Sequence, residues 1–142
     1  MSKLLAFGKE NLDALPQDLI GGLFIFGNLI DLIKCLHFDK DFPENKNIKL
    51  KEKGKKTCQV YGGRKWKDIS FEAASKMMIV QACDIFLDYA EANTERIKED
   101  DINEYEYEDL IDRLQGIRSW SEEDDIKQVQ DDLLRLLDQK KI

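Results

Sequence analysis

The run DISFEAASKMMIVQACDIFLDYAEANTERIKED, residues 68–100, decides the fold. Asp68 and Ser70 are both competent N-caps, and an apolar series begins at Ile69 and Phe71. Phe71, Ala74, Met78, Ile85, Tyr89 and Ala92 recur at steps of three, four and seven, so a helix gathers them into one stripe. Gln81 is the polar member of that stripe. The opposite side is apolar at first, through Ile79, Val80, Cys83, Leu87 and Ala90. A helix apolar nearly all round is one covered on several sides. The spacing therefore predicts a long helix over 68–100. Its first half lies in the core, with Met78 and Ile85 almost fully buried and Met77 and Met78 as core filler. Its second half is acidic and wet, through Glu91, Glu95, Glu99 and Asp100.

On the C-terminal side, Tyr107, Leu110, Ile111, Leu114 and Ile117 predict a helix from about Glu104 to Arg118. Trp120 marks a corner. Ser121 reads as the cap of a last helix, with Asp124 three residues on, and Ile126, Val129, Leu133, Leu136 and Leu137 form its stripe. On the N-terminal side, Pro16 suits a helix's first turn, and one helix is expected from about Leu15 to His37. Its glycines, Gly21, Gly22 and Gly27, read as a packing groove. Met1 to Leu12 suggests a short amphipathic helix through Leu4, Leu5 and Phe7, weakened by Gly8. Between the long helices, 39–67 breaks the pattern. Ile48-Lys49-Leu50-Lys51 alternates at period two, and Thr57-Cys58-Gln59-Val60-Tyr61 is β-prone, which predicts a β-hairpin or ordered loop.

At 142 residues one domain is expected, with 39–67 as an insertion within it. Three cysteines (Cys35, Cys58 and Cys83) at wide spacing, without C-x-x-C, argue against a disulfide framework or a zinc site and for a reducing, cytoplasmic setting. Leu19 to Ile30 is too short to span a bilayer, and no signal peptide is legible.

Charge is unevenly placed. The chain carries −7 overall. Residues 46–67 hold nine bases (Lys46, Lys49, Lys51, Lys53, Lys55, Lys56, Arg64, Lys65 and Lys67) against Glu52, leaving +8 there and −15 elsewhere. Tyr61 and Trp66 lie among them. This pattern reads as an anion- or partner-binding finger for an acidic protein, with nucleic acid as the alternative ligand. The plainer account is a solvated hairpin whose lysines guard an edge strand. The acidic remainder opposes general nucleic-acid binding, and the opposed charges would let copies of the chain associate.

Acids three apart, Asp88 and Glu91, then Asp109 and Asp112, fall on consecutive helices. If those helices form a hairpin, the four could share Mg²⁺ through oxygen ligands. The arrangement resembles the all-α nucleotide pyrophosphatases of the MazG type, in which acidic pairs three apart on neighbouring helices hold the metal. That resemblance implies a Mg-dependent nucleotide pyrophosphohydrolase with these four as ligands. The chain departs from the pattern by carrying Asp at three places where that family favours Glu, and no matching substrate-binding residues are legible. From the residues alone, Asp84, Asp88, Glu91 and Glu95 form an acidic flank beside the apolar face. A ribonuclease of the HEPN kind needs Arg a few residues before His, and His37 has no Arg before it. His37 reads as a helix C-terminal residue meeting the last carbonyls. Tyr105 and Tyr107, set among Glu104, Glu106 and Glu108, read as a recognition surface.

These features describe a mostly α, single-domain bundle of about four main helices with a small β-hairpin insertion. The expected role is non-enzymatic: a small acidic adaptor, inhibitor, immunity or antitoxin-type protein, with no cofactor and another protein as partner.

Overall fold

The computed structural model describes residues 3–52 and 56–140. Ser70 opens the central helix, α3 (Phe71–Ala92), where its hydroxyl oxygen accepts the Ala73 N–H, one of the donors a helix start leaves unpaired. Asp68 has no part in the cap and lies in a strand. Around α3 pack α1 (Gln17–Phe24), α2 (Leu29–His37), α5 (Glu104–Arg118), α6 (Glu123–Lys140) and a small sheet. Met78 is fully buried, as expected, but Ile85 is only half-buried. Between Met78 and Tyr89, which is buried as expected, the core-facing side runs through Ala82 and Phe86 in place of Ile85, because Phe24 of α1 seats its ring 5.9 Å from both Phe86 and Tyr89.

The central helix stops at Ala92, eight residues before the expected end. Asn93 donates its side-chain amide to the Tyr89 carbonyl (2.8 Å), and the Thr94 hydroxyl donates to Ala90 (2.8 Å). These side chains satisfy carbonyls that continued helix would have used. The chain then turns through α4 (Thr94–Arg96) and a π-helical turn, Ile97–Asp101, anchored by fully buried Ile97.

The single helix expected over 15–37 is two. Gly27 adopts φ +59°, which breaks the helix after α1, and Asn28 restarts it by accepting the Asp31 N–H on its side-chain oxygen (3.1 Å). The N-terminal helix is absent over residues 3–11. That stretch runs alongside the rest of the fold, with Leu5 N–H donating to the Glu44 carbonyl (2.8 Å) and Phe7 N–H to Tyr61 (2.9 Å). Met1 and Ser2 lie outside the described residues.

The insertion is a three-stranded antiparallel sheet: β1 (Ile48–Leu50), β2 (Thr57–Tyr61) and β3 (Trp66–Ser70), in that order. The expected hairpin is therefore present, extended by a third strand that leads straight into α3. Register places Lys49 beside Gln59 and Gln59 beside Asp68. By alternation Ile48, Leu50, Cys58 and Val60 point into the core.

At the other end, Asn103 and Glu106 form a reciprocal capping box that starts α5. Ser121 does not cap α6. Its hydroxyl donates to the Gly116 carbonyl (3.1 Å), Trp120 takes the left-handed φ of 65°, and the helix begins at Glu123. Among the described residues no helix is long and apolar enough to cross a membrane.

Candidate functional site

The lysine-rich segment does not present its charge as one free surface. Lys49 places its ammonium 4.2 Å from the Trp66 ring centre, and Trp66 leans on Tyr61 at 5.7 Å. Lys51 pairs with Asp68 at 2.5 Å, and Gln59 donates to the same carboxylate at 3.0 Å. The hydrogen bond to Asp68 raises the Lys51 ammonium above its ordinary pKa. The bonds from Lys51 and then Gln59 hold the Asp68 carboxyl below its own. Lys56, Arg64, Lys65 and Lys67 are exposed. Lys53 and Lys55 lie outside the described residues.

The four acids of the metal reading, Asp88, Glu91, Asp109 and Asp112, are each exposed, although α3 and α5 do pack side by side. Among the described residues no three His, Cys, Asp or Glu side chains are grouped to hold a metal ion.

His37 is the last residue of α2, as expected, but its ring turns to Asn45, Asn47 and Gln81 and not to that helix's last carbonyls. It is fully buried, its ring stacked on Phe7 at 5.3 Å. Glu10, whose side chain is 2% exposed, receives the Asn47 and Gln81 amide N–H groups at 2.8 Å each, and the Gly8 N–H at 3.1 Å. An ionised carboxylate can only accept, so Glu10 fixes which way both amides point. Their oxygens consequently face the ring: Asn47 Oδ1 lies 3.0 Å from Nδ1, and Gln81 Oε1 lies 2.8 Å from Nε2. Glu10 itself comes within 3.9 Å of Nδ1. This closed ring of polar groups binds the N-terminal stretch to α2, β1 and α3.

The three cysteines are free thiols. Burial pushes Cys58 up to about 11 and Cys83 up to about 12. Cys35 is raised as well, first by burial and then by Asp31 and Asp39. None is an activated nucleophile.

A different surface comes together at the junction of α1, the π-helical turn and α5. The two tyrosines of the acidic run separate: Tyr107 is buried and bonds Thr94 Oγ1 at 3.1 Å, while Tyr105 is 80% exposed. Beside Tyr105 stands Phe26, 77% exposed in the α1–α2 turn. The two line a groove of about 280 Å³ with Ile25, Ile102 and Leu110, bordered by Glu106, Asp109 and Arg113. A Cβ at Gly27 would displace the flexible end of Arg113 and come within 3.2 Å of Leu110, and the φ of +59° is one that residues other than glycine rarely adopt. The groove meets a second, of about 190 Å³, at Ile25, where Asp18 adds acid and Asp101 pairs with Arg96 at 3.5 Å. Phe26 reads from sequence as part of a helix's apolar face. Gly27-Asn28, taken as a helix stop, was the signal that could have placed it outside.

No protein-family model matches the chain, and neither does any curated protein or solved structure.

Proposed function

We propose that the chain is a non-enzymatic binding protein, of the kind to which small adaptors, inhibitors, immunity proteins and antitoxins belong, and that its Phe26–Tyr105 corner receives a basic protein. The observation carrying this reading is the pair of large aromatic side chains left in water along one groove, 77% and 80% exposed, bordered by Glu106 and Asp109 as well as Arg113. Isolated exposed apolar residues are ordinary; two aromatics lining one groove suit an interface. Burying them supplies the kind of central anchor that dominates binding energy, and tyrosine is among the residues enriched there. Two carboxylates against one guanidinium at this border, in a chain of net charge −7, favour a cationic partner and speed its approach. The lysine face supports a macromolecular contact less well, because Lys49 and Lys51 are engaged within the sheet.

Site-specific photocrosslinking in the native cell tests the reading. A photoreactive phenylalanine analogue at position 105 should capture a discrete basic protein, and the same probe at position 66 should not. Capture from position 66 alone would move the contact to the sheet and overturn the assignment.

A further inference from the structure

We propose that a second site, a groove of about 580 Å³ beside β1, binds a small organic phosphate ester with an aromatic or aliphatic body. It shares no lining residue with the Phe26–Tyr105 corner, so it stands or falls independently of the binding role proposed above. Its size is that of a small-molecule site. The floor is apolar: Phe38 at the end of α2, Ile48 of β1 and Leu137 of α6. Lys40 and Lys46 stand at its edge, exposed, their ammonium groups without a hydrogen-bond or ion-pair partner among the described residues. Lys49 adds a third positive charge, held over the Trp66 ring.

β1 is an edge strand. Tyr61 N–H bonds the Asn47 carbonyl and Lys51 N–H bonds the Thr57 carbonyl, so residues 47 and 51 face β2 and the intervening Ile48 turns its N–H and C=O away from β2. An apolar floor and two ammonium groups without a partner among the described residues suit a ligand that is doubly charged at one end and greasy at the other. A lysine ammonium serves as a point-charge partner for phosphate. A plain inorganic anion would leave the floor uncovered, and an uncharged aromatic would leave the lysines unused.

The test uses the full chain labelled with ¹⁵N, calorimetry, and three probes: 2-naphthyl phosphate, inorganic phosphate and 2-naphthol. The two indole N–H resonances are assigned with Trp120→Phe. The ester is expected to bind saturably at one site per chain and to move the Trp66 indole signal while leaving Trp120 in place. Phosphate and naphthol alone should each bind at least about tenfold more weakly. Lys40→Glu with Lys46→Glu should weaken the ester at least about tenfold at an unchanged melting temperature, and Lys40→Gln with Lys46→Gln serves should the charge-reversed protein fail to fold. Phe26→Ser with Tyr105→Ser should leave ester binding unchanged. Absence of saturation, inorganic phosphate binding as tightly as the ester, or indifference to the lysine changes would each overturn the site.

Discussion

Glu10 and His37 are each buried, and neither is solvated in the ordinary sense; what holds them is a set of hydrogen bonds in which every donor meets an acceptor. Glu10→Gln offers an amide N–H where the native carboxylate receives three donors. The change should cost about 1–3 kcal/mol. It should also speed hydrogen exchange at the Leu5 and Phe7 amides, which bond across to Glu44 and Tyr61. Wild-type exchange at both amides would mean that the N-terminal stretch is held by something else. Sequence marked one member of this cluster, since Gln81 is the polar interruption of an apolar stripe. Its partners were hidden by distance along the chain: Glu10 lies 71 positions away and His37 lies 44. Nothing local announces such pairs.

The cysteines give a pH expectation of definite sign. Cys58 and Cys83 keep their protons to about 11 and about 12 in the fold, against about 8.5 for an unconstrained thiol. Between those values the unfolded chain binds fewer protons than the native one. Stability is therefore fully present below about pH 8.5 and lost as pH rises through the folded values. Urea midpoints should fall on going from pH 8 to pH 10.5, and Cys58→Ala with Cys83→Ala should flatten that decline. A decline just as steep in the double variant would assign it to other groups.

Among the elements, α3 is the best read from sequence and the least well bounded. Its core side was legible because apolar side chains at helical spacing must be covered. Its end was not, because Asn93 and Thr94 stop it with side-chain bonds to its own carbonyls, and polar residues there look equally at home in a continuing wet helix. Met78→Ala should cost about 2–5 kcal/mol, and Ile85→Ala clearly less, since only Met78 is fully enclosed. Equal losses in thermal melts would contradict the placement of the core through Phe86. The insertion follows the same logic. Two strands alternate cleanly and were expected, whereas β3 reads Trp-Lys-Asp-Ile-Ser, with Asp68 and Ser70 both looking like caps. Its strand state comes from pairing with β2, whose Gln59 and Lys51 neighbour supply partners for Asp68.

For the whole molecule, segregation of charge along the sequence was plain, and the mostly helical class followed from periodicity. What the charge does in three dimensions was not readable. Folding lays Asp68 under Lys51 and Trp66 under Lys49, which quiets part of the basic segment. Breaking the first long helix at Gly27 brings Phe26 out beside Tyr105, on the acidic side of the chain. Binding through that corner should weaken as salt rises, since its charged border is solvent-exposed. The most direct measurement is calorimetry of the crosslinked partner, once purified, with wild-type protein, with Phe26→Ser plus Tyr105→Ser, and with Lys49→Glu plus Lys51→Glu. The aromatic pair variant should lose at least about 2 kcal/mol, roughly thirtyfold in affinity, while the lysine variant keeps wild-type affinity. Full affinity in the aromatic variant, with the loss appearing in the lysine variant instead, would contradict the account.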